Sequence, residues 1–564
     1  MLGDKRKAEC EPTGASDSIR AGSAPMSTPL AEYVVRVLGK QGLGHLADSA
    51  VAVLSNASWS LDDVKDPSFE ARLVAVLKDP WLYFDEKGKM PYGLDALSSD
   101  AAGRLNASAV IVARYLMSAS SVKSPAPLDD LVNLVKAPSS FAKHSGKGSW
   151  YEILVAKGKK ESLVCHRYST ERTAVPVSLL CPAFGSFVEN SRSIEISSED
   201  CIGAIKVVQA MCDHHDRENS RRDAFHTSLK SHFGIDFGVR SSGTSTTDGS
   251  IEYSHCSSRW LAVLEVKNEK GLGGGDPYMQ AIGYYLKKFE ETPAEGLQVP
   301  CILLDLCGYA LGISGIVNTH SYFVCDPLIP THLLLADMSL NHRISTARLF
   351  KSLKLLIDEL HEIESFPRAS EFPGFTTLRL DDQKVELEYK MRVGNHLLFK
   401  AHDISSGLAF AVKFVERPYP SEAHRCAHRI GFAPKLFDCF RCPPNHWAVV
   451  MEWADVTPLG KENYAAMVPQ ARDFLKQFHA NQFVHGDFRP NNLAIGKEDR
   501  LVVLDFDWAG TCGEVTYPPF MNPEIAWPPG ADSGRIIPPE HDFYWCDRIA
   551  SGIMGSLRPV PLQF

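Results

Sequence analysis

The sequence predicts a multidomain chain of mixed α/β and α+β class, with a helical N-terminal module, an α/β domain and a compact two-lobed domain. Its 564 residues exceed what one hydrophobic core organises, so we expect about three or four domains. A composition of 44% hydrophobic and 23% charged residues is that of a globular protein. The periodicity of the apolar residues changes near Ser139 and again beyond Thr377, which indicates two domain boundaries.

Charge and hydropathy exclude some functional classes. A formal charge of -9 argues against coating nucleic acid through bulk positive charge, although a local basic cleft remains compatible with it. The N-terminus has no apolar signal core, and the longest apolar stretch, 299–317, is interrupted by Asp305. We therefore expect a soluble protein of the nucleus or cytoplasm with reduced thiols among its 14 cysteines.

The first two segments carry little chemistry. Residues 1–27 are rich in Gly, Ser, Pro and charge and are predicted to be a disordered tail. Its Lys5-Arg6-Lys7 run is either part of a nuclear import signal or a solvated basic run. Residues 28–136 show apolar side chains at helical spacing and are predicted to form a helical interaction or regulatory module.

The third segment, 137–366, is predicted to be an α/β domain. The apolar stretches on either side of KGKK (157–160) suggest a hairpin. The periodicity beyond it predicts the order helix, strand, strand, helix, strand and a closing helix. We predict helix 198–233, a strand ending at Lys267, helix 276–289, strand 300–308 and helix 345–364.

Polar residues cluster at the tip of the second strand. Glu265 and Lys267 share a strand face because side chains alternate, and Asp248 on the neighbouring strand can meet them at the sheet edge. A glycine-rich turn then leads into a helix carrying Gln280. Carboxylates beside a lysine suit a divalent cation and a phosphodiester. The alternative is a surface ion pair worth about 0 to 1 kcal/mol.

This pattern, Asp, then Glu-x-Lys on the next strand, then a helix with Gln, resembles the PD-(D/E)xK restriction-endonuclease-like superfamily. The resemblance implies a Mg²⁺-dependent DNA endonuclease, with Mn²⁺ as a substitute, in which Asp248 and Glu265 hold the metal and Lys267 assists the nucleophile. Gln280 would orient the water or a phosphate. Glu218 matches the position where such nucleases add an acidic ligand, whereas Thr247 stands in place of the motif's proline.

The last segment, 375–564, contains HGDFRPNN followed by LDFDWAG and resembles the protein-kinase-like fold. The resemblance implies ATP and magnesium. Its residues would be Asp487 as base, Lys413 on the phosphates with Glu422 as salt-bridge partner, and Asn492 and Asp505 as metal ligands. Gly486 in place of arginine is typical of aminoglycoside- and choline-kinase relatives, and the glycine loop is reduced to the surroundings of Gly394.

The order of these domains resembles the crinkler-type effectors and toxins of fungi and oomycetes. The resemblance implies an effector acting on nuclear DNA, with delivery into another cell implied by the resemblance alone. Three hypotheses stay open. In the first, the chain is an endonuclease joined to a kinase-like domain of undetermined activity. In the second, it is primarily a protein or small-molecule kinase with an unidentified phosphoacceptor, and the nuclease fold is inert and binds DNA. In the third, it is a non-catalytic regulator that binds ATP and DNA.

Overall fold

The computed structural model describes residues 126–165, 173–242, 245–270, 275–294, 296–336, 339–380 and 383–551, and these form one compact unit. The predicted tail 1–27 and most of the predicted helical module 28–136 lie outside the described residues. The described end of that module contains helix α1 (Ala126–Leu134). Leu131 and Val132 of α1 are buried in the core of the α/β domain, so this helix packs with the domain that we predicted to begin at residue 137.

The α/β domain is built on a mixed sheet. The strands of this region are β1 (Leu163–Cys165), β2 (Ser241–Ser242), β3 (Ser245–Thr246), β4 (Gly249–Tyr253), β5 (Cys256–Lys267), β6 (Cys301–Cys307), β7 (Ala310–Asn318), β8 (Phe323–Pro327) and β9 (His332–Leu333). Within the described residues, seven of them form the sheet in the order β1-β8-β7-β6-β5-β4, with β9 paired to β7. Strands β5 and β6 run parallel, whereas β4 is antiparallel to β5. The buried run Trp260 to Val266 therefore lies between two neighbours, as expected for an apolar central strand.

Helices cover this sheet. They are α2 (Pro138–Phe141), α3 (Val177–Leu180), α4 (Pro182–Ser193), α5 (Ser198–Cys212), α6 (Glu218–Phe233), α7 (Pro277–Glu291) and α8 (Leu340–His361). Helix α7 packs against β5 and β6, and α8 packs against α4 and α5. The predicted order helix, strand, strand, helix, strand is observed as α6, β4, β5, α7 and β6.

Two local predictions in this domain are wrong. The predicted hairpin around 157–160 is absent, because Tyr151–Ala156 is a π-helical segment and β1 pairs in parallel with β8. Ile153 and Leu154 are adjacent and both buried, a helical rather than an alternating pattern. The single helix predicted for 198–233 is two helices, because the backbone is extended at Asp213 and Arg217. The break makes Glu218 the first residue of α6.

The second half of the described chain has two lobes. The strands of its first lobe are β10 (Thr377–Leu380), β11 (Gln383–Arg392), β12 (Leu398–Asp403), β13 (Ala409–Val415), β14 (Leu436–Cys442) and β15 (His446–Glu452), with helix α9 (Ser421–Arg429). The described strands pair in the order β10-β11-β12-β13-β15-β14. The second lobe contains β16 (Thr457–Pro458), α10 (Tyr464–Ala480), β17 (Phe483–Val484), β18 (Leu493–Ile495), β19 (Leu501–Val503), β20 (Gly510–Thr511) and α11 (Pro539–Ser551).

The first lobe shares its core with the α/β domain. Phe399 and Val412 of the lobe belong to the same cluster of buried side chains as the seven-stranded sheet, whereas α10 and α11 build a separate cluster. Arg441 forms an ion pair with Glu189 of α4 across this contact. The first lobe is therefore packed on the α/β domain through apolar side chains. No described helix combines the length and the apolar character that crossing a membrane requires.

Candidate functional site

Strand β5 ends in a glutamate and a lysine that share one face of the sheet. Glu265 is buried and Lys267 is only 8% exposed. The Lys267 ammonium donates hydrogen bonds to Oε1 of Glu265 at 2.5 Å and to the carbonyl oxygen of Val266 at 3.2 Å. The structure thus brings these two side chains together, as their two-residue spacing predicts.

Two further carboxylates complete the cluster. Asp248, immediately before β4, accepts a hydrogen bond from the Val266 N–H at 2.9 Å. Glu218, the first residue of α6, places Oε2 at 3.5 Å from the Lys267 ammonium. One oxygen each of Glu218, Asp248 and Glu265 lie within 4.8 Å of one another. Helix α6, strand β4 and strand β5 therefore converge on one point, which we call the carboxylate site (Glu218, Asp248, Glu265 and Lys267).

Burial and mutual repulsion dominate the electrostatics of the carboxylate site. Burial raises the pKa of Glu265 to about 8, the charge of Asp248 adds to this rise, and Lys267 opposes it. Burial also raises the pKa values of Asp248 and Glu218. For Lys267, burial favours a lower pKa, but Glu265 and the other two carboxylates outweigh it and raise the value. The site holds excess negative charge that one lysine only partly offsets.

The residues present fit a divalent cation. Oε2 of Glu265 is buried, and no group among the described residues donates a hydrogen bond to it. Such an orphaned carboxylate oxygen is unfavourable unless a cation or a proton meets it. Carboxylate oxygens are also the ligands that Mg²⁺ prefers. Glu218, Asp248 and Glu265 are therefore the residues that would hold a metal.

Gln280 lies on the first turn of α7. Asp276 caps this helix by accepting hydrogen bonds from the backbone N–H groups of Tyr278 and Met279. The side chain of Gln280 is largely buried and forms a hydrogen bond with Tyr284. This contact connects Gln280 with Tyr284, one turn further along α7.

Tyr284 and Arg222 are site residues that our sequence analysis missed. Tyr284 donates a hydrogen bond to the carbonyl oxygen of Thr246 at 2.5 Å. Burial raises its pKa, and the charge of Glu265 adds to this rise, which places Tyr284 close to the carboxylates. Nη1 of Arg222 lies 3.9 Å from Oδ1 of Asp248. Each follows a predicted residue by four positions on its helix, and this i to i+4 spacing is the signal that could have found them.

The second constellation lies between the two lobes. Lys413 of β13 donates hydrogen bonds to Oδ1 of Asp505 and to Oδ1 of Asp507, each at 2.7 Å. Burial raises the pKa of Asp507 and the charge of Asp505 adds to the rise, whereas Lys413 outweighs burial at Asp505 and lowers its pKa. Asp505 has a left-handed φ of 60°, which turns the chain sharply after β19. Two carboxylates therefore share one lysine.

Glu422 does not pair with Lys413, which corrects our prediction. Glu422 lies on the exposed side of α9, with 70% of its side chain exposed. It accepts a hydrogen bond from Arg425 at 2.9 Å. Instead, α9 directs His424 inward, where its ring stacks on Phe506 at a centroid distance of 4.7 Å. Spacing along the sequence identified the right helix but the wrong face.

Asp487 lies in a loop held by its neighbours. Its carboxylate accepts hydrogen bonds from Arg489 through both oxygens, at 2.7 Å to Oδ2. Nδ2 of Asn492 donates to the backbone oxygen of Asp487 at 2.8 Å and to Oδ2 at 2.9 Å. The amide oxygen of Asn492 and the carboxylate of Asp505 are the kinds of ligand that suit Mg²⁺. Arg489, four residues after His485, is a neighbour that we did not predict.

Asp542 explains how this loop is held. It is fully buried on α11 and accepts hydrogen bonds from the backbone N–H groups of His485 and Gly486 at 2.8 and 2.9 Å. It also contacts His479 at 3.0 Å. Gly486 has a φ of 80°, and a Cβ there would lie 2.9 Å from the Trp508 carbonyl oxygen. Only glycine fits this position, which gives a structural reason for the missing arginine.

A cavity of about 150 Å³ adjoins these polar groups. Its walls include the apolar side chains of Val393, Ala411, Met451 and Val503, and Asn492 and Asp505 line it as well. Gly394 lies in the loop between β11 and β12, with a φ of 53°. Arg392 donates to the carbonyl oxygens of Asn395 and His396 at 2.8 and 2.7 Å and so closes this short loop. The cavity is thus lined by apolar side chains together with oxygen ligands of the kind that suit Mg²⁺.

No protein-family model matches the sequence, and no curated protein matches it. Among solved structures, the chain is similar to the structure of the Cydia pomonella Granulovirus kinase, PK-1, at 16% identity. That match covers 31% of this chain and 74% of the viral chain, with a TM-score of 0.25. The likeness is to a kinase but is weak, so the functions proposed below depend on the geometry of the side chains.

Proposed function

We propose that the α/β domain is a metal-dependent nuclease. The observation that carries this proposal is the convergence of three carboxylate oxygens within 4.8 Å beside a buried lysine at the end of β5. A buried ion pair without a ligand would need only one carboxylate for Lys267. Two additional carboxylates with raised pKa values are destabilising in their charged form unless a cation binds between them.

The proposed role of each residue follows from its contacts. Glu265, Asp248 and Glu218 would hold a divalent cation, which when bound lowers the pKa of water and offsets charge on the phosphate. Lys267 would contact the attacking water or the scissile phosphate, because its ammonium already lies against the carboxylates. Arg222 would offset the charge of Asp248, and Gln280 with Tyr284 would orient the substrate from α7.

The products of cleavage test this proposal. A 5′-labelled DNA duplex and a single-stranded oligonucleotide are incubated with the full-length protein and Mg²⁺, Mn²⁺ or EDTA, and the ends of the products are identified. Cleavage in Mg²⁺ or Mn²⁺ that disappears in EDTA and in Glu265→Gln is expected. Intact DNA under every condition would refute the nuclease and leave a nucleic-acid-binding scaffold.

A second candidate function is phosphoryl transfer from ATP by the two-lobed domain. It is favoured by the contact of Lys413 with Asp505 beside the apolar cavity, with Asn492 and Asp487 in the adjoining loop. Lys413 would bind nucleotide phosphates, Asn492 and Asp505 would hold Mg²⁺, and Asp487 would accept the proton of a hydroxyl substrate. Arg489 occupies both oxygens of Asp487, so one of these contacts would have to yield to the substrate hydroxyl.

Transfer of labelled γ-phosphate tests the second candidate. The protein is incubated with labelled ATP, Mg²⁺ and generic protein acceptors, and both transfer and hydrolysis are followed. Transfer that is lost in Asp487→Ala would support a kinase. A thermal shift with ATP in the absence of any transfer or hydrolysis would favour the third alternative, a regulator that binds ATP and DNA without turning them over.

We further propose that the chain acts as a crinkler-type effector on nuclear DNA. The order of an α/β domain of this kind before a two-lobed domain supports this proposal, as does the Lys5-Arg6-Lys7 run. A fluorescent fusion of the full chain should accumulate in nuclei and lose that accumulation when the three basic residues are replaced by alanine. Unchanged cytoplasmic fluorescence in both forms would contradict nuclear action.

A further inference from the structure

A group of aromatic rings and exposed lysines lies near the start of the α/β domain, and one of its rings, Trp150, is partly buried against the core. We call it the aromatic-lysine surface; its members are Lys143, His144, Lys147, Trp150 and Tyr151. The His144 and Tyr151 rings stack at 5.6 Å with an interplanar angle of 24°, and Trp150 meets Tyr151 edge-on at 6.0 Å. The exposed His144 and Tyr151 rings therefore stack on each other beside the partly buried Trp150.

Tyr151 leaves much of its ring in contact with solvent. It is 46% exposed, and Val155, four residues later along the same helical segment, is 40% exposed. Two neighbouring apolar side chains on one side of a helical turn thus face solvent, while Ile153 and Leu154 fill the core. Tyr151 and Val155 therefore leave apolar surface in contact with solvent next to the lysines.

The aromatic-lysine surface is joined to the helix that serves the carboxylate site. The N–H of Asp276, the N-cap of α7, donates a hydrogen bond to the carbonyl oxygen of Ala142 at 3.0 Å. Gly275 approaches so closely that a Cβ there would lie 2.9 Å from the Cβ of Ala142. Gln280 follows four residues after Asp276 on the first turn of α7, so the segment that carries the surface is in contact with the start of this helix.

The charge of the surface selects its ligand. Residues 143–160 carry five lysines and one acidic residue, within a chain whose net charge is -9. Lys143 and Lys147 are both exposed, and Lys157 and Lys159 pair with Glu152 and Asp130. Lysines can contact the phosphates of a nucleic acid while the neighbouring aromatic rings stack on its bases. An acidic protein would pair with the lysines but has no bases to stack on the rings.

We propose that the aromatic-lysine surface binds an unpaired stretch of nucleic acid that leads to the carboxylate site. Tyr151 stacks on an unpaired base, and Lys143 and Lys147 contact the adjoining phosphates. The inference rests on the proposed nuclease and deepens it, because it makes single-stranded or locally opened nucleic acid the preferred substrate over a closed duplex.

Binding of a fluorescent oligonucleotide by the full-length protein in EDTA tests this. The probe is a single-stranded oligonucleotide carrying 2-aminopurine, and the variants are Tyr151→Ala, Tyr151→Phe and Lys143→Ala combined with Lys147→Ala. The matched controls are Phe520→Ala and Lys497→Ala, exposed side chains of the two-lobed domain. Thermal denaturation of each variant confirms that the fold is retained.

The expected result is loss of 2-aminopurine quenching and about tenfold weaker binding in Tyr151→Ala, the order of one base-aromatic stack. Tyr151→Phe should bind like the wild type. Each phosphate contact contributes about 0.7 to the slope of log K against log salt for a single strand. The double lysine variant loses two such contacts, so the magnitude of its slope should be smaller by about 1.4. The two controls should leave the dissociation constant and the quenching unchanged.

Equal binding and quenching by wild type and Tyr151→Ala would overturn the proposal, as would a preference for closed duplex over the single strand. Binding of poly-glutamate by a wild-type protein that does not bind the oligonucleotide would overturn it as well. The failure of the nuclease is separate. A wild type that binds through Tyr151 but leaves DNA uncut in Mg²⁺ would remove the nuclease and keep the nucleic-acid surface.

Discussion

The carboxylate of Asp248 accepts a hydrogen bond from the backbone N–H of Val266, with an oxygen to nitrogen distance of 2.9 Å. Val266 stands between Glu265 and Lys267, so this bond sets Asp248 against both of them at once. The start of β4 and the end of β5 are thereby joined at the carboxylate site. Replacements at Asp248 can therefore separate its charge from its role in holding the two strands.

Asp248→Asn retains an oxygen that can accept from Val266 but removes the charge. We expect DNA cleavage to fall by about 10²-fold or more, with little change in thermal stability. Asp248→Ala removes both functions, leaves the Val266 N–H without its acceptor and should cost about 1–3 kcal/mol of unfolding free energy in addition. Initial cleavage rates and thermal melting measure the two effects. Cleavage by Asp248→Asn at the wild-type rate would exclude Asp248 as a metal ligand.

Lys413 and Glu422 should differ sharply in their effect on ATP binding. Lys413→Met removes the cation that contacts Asp505 and Asp507, so ATP with Mg²⁺ should bind at least about tenfold more weakly. Glu422→Gln should change binding by less than about twofold, because an exposed pair with Arg425 contributes little. Isothermal titration or the ATP-dependent thermal shift measures both. A loss in Glu422→Gln equal to that in Lys413→Met would restore Glu422 as the partner of Lys413.

Gly486 and Gly513 form a matched pair for testing the loop before Asp487. Both have positive φ, 80° and 83°, but a Cβ at Gly486 would meet Ile537 and the Trp508 carbonyl oxygen, whereas at Gly513 it would meet no described atom within 4 Å. Gly513→Ala should cost about 1–2 kcal/mol from backbone strain alone. Gly486→Ala should cost roughly 2–4 kcal/mol, since overpacking adds to the strain. Denaturant unfolding compares them, and equal losses would contradict the close packing described at Gly486.

His424 should contribute to loss of stability in acid. Burial lowers its pKa from 6.5 to about 4; in its neutral form it donates to the Pro434 carbonyl oxygen and accepts from the Tyr419 hydroxyl. The unfolded chain therefore binds more protons between these two pKa values, and stability falls as pH drops from 6.5 towards 4. At pH 5 the loss from this residue is about 2 kcal/mol.

Melting curves at pH 7 and pH 5 measure this contribution. His424→Gln should show a shallower pH dependence than the wild type, while His428→Gln, an exposed position on the same helix, should match the wild type. An identical pH dependence in His424→Gln and the wild type would contradict burial of a neutral imidazole.

Local periodicity was enough to predict the parts of the site that depend on neighbouring residues. Glu265 and Lys267 could be placed side by side because strand side chains alternate. Gln280 could be placed on a helix because the glycine turn predicts a helix start. Arrangements that depend on tertiary packing could not be predicted. The face of α9 that turns inward carries His424 instead of Glu422, because that rotation depends on packing against Phe506.

The same distinction explains the missed residues. Asp542 reaches His485 and Gly486 from a helix more than 50 residues further along the chain, and no local pattern announces such a contact. The segment 151–156 was predicted as strand because apolar residues flank a lysine-rich turn. Its adjacent buried residues, Ile153 and Leu154, pack as a helix instead.

Nicking of supercoiled plasmid is the most direct test of the central claim, that the carboxylate site cleaves phosphodiesters. Wild type, Glu265→Ala and Lys267→Ala are purified side by side and incubated with plasmid in Mg²⁺, with EDTA as the control. The account predicts open-circular product from the wild type alone, and at least about 10²-fold slower nicking by either variant. Equal nicking by all three proteins, or none by the wild type, would contradict it.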